Sequence, residues 1–384
     1  MNILHICKHY FHEMGGMETY IRTLVQGQLA AGHDVTVLAA GDNMKPAVQT
    51  SNGLTVRQLS RWGTFASTPL TPGLPLALTR YRPDITHVHS PYPPAELFNT
   101  LLGRSRFTVI GYHSDIIRQR HLFKLYEPFL KMTLKKANVI ICSSSNYIET
   151  SPLLSIFRDK CRVVPYGIDI ERFASPELSV LENLGRKFGR FTILFVGKLR
   201  YYKGLNHLIE AMLRVKDADL IIVGDGPLRS ELESQVAALK LTECIHFVGR
   251  VEDEDLPAHY HAADCFVLPS DSRAEAFGIV LLEAMAAGLP LVTTELGTGT
   301  SFVNIHGKTG FVVPPGDADA LSEAINTLRK DVALRERFAQ GGREQVRTEF
   351  SQEGMVDRMM NIYDQLLTKG SLEKISPVWQ GAAQ

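Results

Sequence analysis

Short apolar runs rich in β-branched residues alternate with segments of helical period along nearly all of this 384-residue chain. That alternation is the pattern of an α/β protein with parallel sheets. In the first half the strands are expected at Asn2–Cys7, Asp34–Ala39, Leu54–Gln58, Ile85–Val88, Thr108–Gly111, Val139–Cys142 and Arg162–Val164. Helical patterns lie between them, notably Met17–Ala31 and Ile116–Ala137. The alternation breaks at Pro165-Tyr166-Gly167-Ile168-Asp169, and a polar stretch follows to about Arg190. It starts afresh with Phe191–Val196, Asp219–Val223, Ile245–Val248, Phe266–Leu268, Leu291–Thr293 and Gly310–Val313. The expected organisation is therefore two doubly wound Rossmann-like domains, 1–165 and 191–350, joined by a linker at 166–190. A helix at 351–369, periodic from Ser351 to Leu367, is long enough to return to the first domain, and a patternless tail, 370–384, closes the chain.

Composition changes this picture little. The chain is too long for one ordinary core, and its 45% hydrophobic and 21% charged residues are near the averages for a soluble globular protein. No apolar run reaches the roughly 18 residues of a membrane span, and Met1–Cys7 has neither a basic region nor a cleavage site of a signal peptide. The five scattered cysteines, Cys7, Cys142, Cys161, Cys244 and Cys265, read as small buried hydrophobes in a reducing compartment, which places the protein in the cytoplasm. Charge is the exception to this even composition. Residues 1–170 carry 18 basic against 11 acidic side chains and the remainder 23 against 30, so a net charge of zero hides a +7 half beside a −7 half. Unless this is ordinary surface variation, the first half meets something anionic.

In doubly wound sheets ligands bind at the carboxyl ends of the strands, so the loops that follow strands carry the chemistry. Gly15-Gly16 opens the first helix, where paired glycines allow a close backbone approach and a helix N-terminus favours an anion; a plain turn would use them equally well. His113 follows a strand and could bond a sugar hydroxyl or stabilise charge, or simply be satisfied by backbone. Lys198, Arg200 and Lys203 share one loop, where cations can clamp a diphosphate or be merely solvated. Gly224 lies in a tight turn read mainly as structural, with its backbone walling a nucleotide, and Arg250-Val251 ends a strand whose backbone could read a base edge.

Two glutamates, Glu275 and Glu283, bracket a loop-to-helix junction through Ala276, Phe277, Gly278 and Ile279. Carboxylates on either side of the positive end of a helix suit hydroxyls, and that end itself suits phosphate. Hydroxyls, phosphates and more hydroxyls describe a nucleotide sugar. The Asp-x-Asp strings (Asp217/Asp219, Asp253/Asp255, Asp317/Asp319) read as solvated caps rather than metal ligands, and no metal is expected.

Together these residues resemble glycosyltransferase family 4, most densely from Phe195 to Pro315 and carried by Asp271-Ser-Arg-Ala-Glu-Ala-Phe-Gly278 with Glu283. The resemblance implies the GT-B fold, two Rossmann-like domains facing across a cleft, the first binding the acceptor and the second the nucleotide sugar. It implies retention of anomeric configuration, no metal and no cofactor beyond the GDP- or UDP-sugar itself. By residue, it sets Glu275 against the donor sugar, the Phe277-Gly278 amides by sugar and phosphate, and Glu283 on the ribose. Gly15 and Gly16 fall near the diphosphate, His113 by the reacting face of the sugar, and Lys203 on the diphosphate. Lys198 stands where the family usually has arginine, keeping the charge without the planar fork. Where many members carry Gly-Gly before a glutamate, this chain has Glu295-Leu-Gly-Thr-Gly-Thr-Ser-Phe-Val-Asn304, a variant that looks like the O-antigen and exopolysaccharide branch, in which GDP-mannose is frequent.

The helix expected at 116–137 carries Arg118, Arg120, Lys124, Lys131, Lys135 and Lys136 among Phe123, Leu130 and Leu134. A basic amphipathic helix can lie on an anionic membrane surface, at the inner face of the cell membrane if the enzyme is cytoplasmic, and would bring the protein to a lipid-diphosphate-linked glycan. No nucleic-acid partner is indicated. The alternatives are a transferase acting on a soluble sugar, a nucleotide-sugar epimerase of the same shape, and a non-catalytic nucleotide-binding module. The intact set Glu275, Glu283, Lys203 and His113 counts against the last.

Overall fold

The computed structural model describes residues 1–10, 15–117, 119–176, 181 and 190–370. These divide into two compact units, one made of residues 1–166 with the helix Gln352–Lys369 and one of residues 167–351. Arg118, part of the expected linker (177–180 and 182–189) and the tail from 371 onward lie outside the described residues.

The first unit is built on a sheet of eight strands: β1 (Asn2–Cys7), β2 (Asp34–Ala40), β3 (Ala47–Ser51), β4 (Leu54–Leu59), β7 (Ile85–Ser90), β8 (Phe107–Tyr112), β9 (Val139–Cys142) and β10 (Cys161–Val163), in the order β10-β9-β8-β7-β1-β2-β4-β3. Every pairing is parallel except β3 with β4. A two-stranded hairpin, β5 (Thr64–Phe65) and β6 (Thr68–Pro69), stands apart from it. All six residues of β7 are buried, as a strand covered on both faces requires. Helix α1 (Gly16–Ala30) buries Tyr20, Ile21, Leu24, Val25 and Gln28. Its neighbour in space is the helix Gln352–Lys369, which buries Met355, Met359, Tyr363 and Leu366 on one stripe. Helices α2 (Leu74–Thr79), α3 (Pro93–Leu102) and α4 (Arg120–Lys136) pack in sequence on one another.

The second unit is a parallel sheet in the order β13-β12-β11-β14-β15-β16, with β11 at Phe191–Val196, β12 at Ala218–Val223, β13 at Ile245–Gly249, β14 at Cys265–Leu268, β15 at Leu291–Thr294 and β16 at Gly310–Val313. β14 is apolar and buried throughout and β11 nearly so, each buried Leu, Ile or Phe contributing on the order of 2 kcal/mol.

Three expectations change. The helix expected from Ile116 begins at Arg120, because Asp115 is held in a turn: its N–H donates to Tyr147 Oη at 2.6 Å, and its Oδ1 accepts from Tyr112 Oη at 2.8 Å and Ser151 Oγ at 3.0 Å. The final helix begins one residue late, at Gln352, and runs on to Lys369. Asp219 is no solvated cap: it is buried in β12, accepting from Arg190 Nη2 at 2.6 Å and bonding His246 Nε2 at 3.2 Å. Asp317 does cap a helix, accepting from Ala320 N at 2.9 Å. All five cysteines are free, four of them buried and Cys244 half-buried.

Candidate active site

In the second unit every candidate follows the carboxyl end of a strand. Lys203 and Glu275 meet there: Lys203 Nζ donates to Glu275 Oε2 at 2.5 Å, and both residues are only 8% exposed. The same Glu275 oxygen accepts from Ser270 Oγ at 3.3 Å. Burial works against the Lys203 ammonium, but Glu275, Tyr202 and Glu283 outweigh it and hold the amine above the ordinary lysine value. The pair is thus a fixed cation and a fixed acceptor side by side.

The backbone around Glu275 is anchored to the loop after β15. Thr298 Oγ1 donates to Glu275 O at 2.8 Å, Gly299 N to Ala276 O at 2.9 Å, and Thr294 Oγ1 to Ser270 O. Arg273 Nη1 donates to the carbonyls of Leu296 and Gly297. Phe277 is buried, and Gly278 caps the helix Ile279–Ala286 at φ 81°, a left-handed conformation that favours glycine. Glu283, in the second turn of that helix, accepts from Tyr260 Oη at 2.6 Å. Burial raises the Glu283 carboxyl, while Tyr260, Arg172 and Lys203 pull it back.

The other donor-side candidates are less confined. Lys198, Arg200 and Arg250 are exposed, and Val251 is half-buried. Gly224 follows β12, its N–H donating to Gly249 O at 2.7 Å.

In the first unit, Gly15 caps α1 and Gly16 is exposed at its first position. A side chain at Gly15 would come within 2.7 Å of Glu18 Oε2. His113, by contrast, is buried, and both its ring nitrogens are engaged: Nε2 with His89 Nδ1 at 2.9 Å and Nδ1 with Tyr166 Oη at 2.6 Å.

His113 ends a histidine array that sequence reasoning missed. His5 on β1 lies opposite His87 on β7, and His89 on β7 lies opposite Gly111 on β8, so the four imidazoles share one face of the sheet. The His5, His89 and His113 rings are nearly parallel, with 15° and 12° between successive planes, and His87 stacks on His89 with centroids 4.3 Å apart. Burial lowers all four, His5 to about 4 and His113 to about 3, with His87 and His89 well below the ordinary value, so they are neutral at pH 7. Nitrogens of His5, His87 and His89 lie within 4.8 Å of one another, with the His5 and His87 rings tilted by 38°. The signal available in the sequence was His87-Val-His89 itself, two imidazoles at alternate positions of one strand and so on one face of it.

Two Rossmann-like units, the second with cations and carboxylates beyond the carboxyl ends of its strands, define a GT-B glycosyltransferase. The sucrose-phosphate synthase of Thermosynechococcus elongatus has the same architecture, with a TM-score of 0.81 at 25% identity over 96% of this chain and 99% of that one. The model of glycosyl transferases group 1 matches residues 181–345, and that of glycosyltransferase family 4 matches residues 14–172. A D-rhamnosyltransferase (WbpZ) of Pseudomonas aeruginosa is 40% identical over 335 residues, spanning 85% of this chain and 86% of its own length. The O-antigen chain mannosyltransferase C of Escherichia coli is 33% identical over 380 residues, spanning 97% and 100%. The chain belongs to glycosyltransferase family 4.

Proposed function

We propose that this enzyme moves a hexose from a nucleotide sugar to a growing, lipid-diphosphate-linked glycan during assembly of a cell-surface polysaccharide, with retention of anomeric configuration and without a metal. The Lys203–Glu275 pair carries the reading, because a nucleotide sugar needs a cation for its diphosphate and an acceptor for sugar hydroxyls within a few ångströms of each other. Lys203, with Lys198, stabilises the charge of the departing nucleoside diphosphate, which takes the acceptor proton on the front face of the sugar. Glu275 orients the sugar, Glu283 holds the ribose, and the amides of Phe277, Gly278 and Ile279 lie by sugar and phosphate. Gly224, Arg250 and Val251 line the nucleotide. His113 works at the reacting sugar and Gly15 and Gly16 near the diphosphate. The two similar enzymes, a D-rhamnosyl- and a mannosyltransferase by name, favour a manno-configured donor and with it a GDP-sugar over a UDP-sugar.

The acceptor side rests on α4. Leu122, Leu125 and Phe129 are 42%, 74% and 48% exposed and fall on one stripe of the helix, while Leu130 and Leu134 face inward. Lys124, Lys135 and Lys136 are exposed on the same helix. An apolar stripe among lysines suits an anionic bilayer surface, which would hold the enzyme peripherally at the cytoplasmic face of the membrane. No helix among the described residues is long and apolar enough to cross a membrane.

The test is transfer from a panel of GDP- and UDP-sugars to a polyprenyl-diphosphate-linked acceptor with excess chelator present, with the new linkage read by NMR. Retained configuration with a GDP-sugar is expected. Epimerisation or hydrolysis of the donor without acceptor, or inversion at the anomeric carbon, would overturn the reading. Flotation with anionic liposomes checks the membrane contact: Leu125→Glu should abolish binding at low salt, and equal flotation of both proteins removes α4 from the argument.

A further inference from the structure

We propose that Gln28, His5 and His89 fix His113 as the tautomer with its proton on Nε2, so that Nδ1 of His113 is a hydrogen-bond acceptor and the substrate group it takes is a hydroxyl. The inference deepens the reading above and rests on His113 working at the reacting sugar.

The chain of bonds is continuous. Gln28 Oε1 lies 2.9 Å from His5 Nε2, His5 Nδ1 lies 3.0 Å from His89 Nε2, His89 Nδ1 lies 2.9 Å from His113 Nε2, and His113 Nδ1 lies 2.6 Å from Tyr166 Oη. A neutral imidazole has one donor and one acceptor, and an amide oxygen only accepts. Beginning at Gln28, each proton position therefore follows from the one before. His5 donates from Nε2 to Gln28 and accepts at Nδ1, so His89 donates from Nε2 and accepts at Nδ1. His113 then donates from Nε2 and accepts at Nδ1 from the Tyr166 hydroxyl.

The orientation of the Gln28 amide follows from its oxygen lying on His5, its buried nitrogen makes no hydrogen bond among the described residues, and Tyr363 Oη bonds His87 Nδ1 at 2.7 Å. Gly111 keeps the space open, since a Cβ there would lie 2.8 Å from His87 Nε2, 3.1 Å from His113 Nε2 and 3.3 Å from His89 Nδ1. Bonds running through neutral, nearly parallel, buried rings reinforce one another.

The consequence is chemical. As a glycosyl bond breaks, positive charge develops on the sugar, and a lone pair directed toward it is favourable where an N–H would be opposed. A substrate hydroxyl that displaces the Tyr166 hydroxyl finds an acceptor at His113. Gln28, His5 and His89 act through His113 and are positioning residues.

Imidazole-nitrogen NMR of the full-length protein at pH 7.5 tests this directly. His5, His89 and His113 should each carry the proton on Nε2. In Gln28→Leu the chain is free to reverse, so His113 should become a mixture of tautomers. Its kcat should fall roughly tenfold with the donor KM within about twofold. Gln28→Glu, whose carboxylate can only accept, should keep the wild-type tautomer, and with the wild-type spectrum it decides the matter even if Gln28→Leu does not fold. A proton on Nδ1 of His113 in the wild type, or a Gln28→Leu protein with unchanged spectrum and kcat, overturns the proposal. A His113→Ala protein with wild-type turnover overturns instead the placement of His113 at the reacting sugar, and the spectra then stand by themselves.

Discussion

Lowering the pH from 7.5 to 5.5 should place nearly one proton on each of four imidazoles in the unfolded chain and almost none on them in the fold. His5, His87, His89 and His113 are buried and lowered, His5 to about 4 and His113 to about 3, against 6.5 when exposed. A histidine lowered in the fold stabilises it fully above pH 6.5, and that contribution is lost as pH falls from 6.5 toward the folded value. For His5 the loss runs down to about pH 4, and for His113 to about pH 3. At pH 5.5 the cost is on the order of 1 kcal/mol for each imidazole that stays neutral in the fold, or several kcal/mol for the four. That is comparable with the whole stability of a modest domain, about 5–15 kcal/mol. The groups in contact with the array, Tyr20, Gln28, Tyr166 and Tyr363, are neutral throughout this range. Burial raises the carboxyls of Glu96 and Glu283, which act in the opposite sense, favouring the fold as pH falls. Urea unfolding of wild type and His87→Asn at both pH values separates the two effects, because everything except one imidazole is common to both proteins. The wild type should lose on the order of 1 kcal/mol more than the variant between pH 7.5 and 5.5. Equal losses, or an array imidazole titrating near 6.5 in the NMR spectrum of the folded protein, would refute the reasoning.

Removing Lys203 as Lys203→Met leaves Glu275 buried and unpaired, so urea unfolding should show a loss of about 3 kcal/mol. Glu275→Gln should lower turnover by about 100-fold or more. The double variant should lose less stability than the sum of the two, and strict additivity would show that the pair is not coupled. Tyr260→Phe removes the 2.6 Å bond to Glu283 and should weaken nucleoside diphosphate binding by about fivefold to tenfold in calorimetry, with kcat unchanged; unaltered affinity would take Glu283 off the ribose. Gly278→Ala forces a Cβ at φ 81° to within 3.0 Å of Leu268 Cδ2, so the melting temperature should fall by about 3 °C or more.

What could be read in advance divides along a physical line. A parallel sheet buries both faces of its strands, so β1, β11, β12 and β14 are mostly apolar runs that declare themselves. β3 did not, because four of its five residues are exposed and no apolar alternation marks it. The loop chemistry at Lys203 and Glu275 was legible as composition, two charged residues in loops after strands. Their mutual bond was not, because 72 positions separate them and only the neighbouring placement of β11 and β14 brings their loops together. His113 illustrates the limit most sharply. A histidine at the end of β8 suggests a group presented to a ligand, yet its ring is shaped by His5, 108 positions away, through strands that lie side by side only in the folded sheet. Local sequence identifies which side chain carries the chemistry. Sheet order decides which proton it holds.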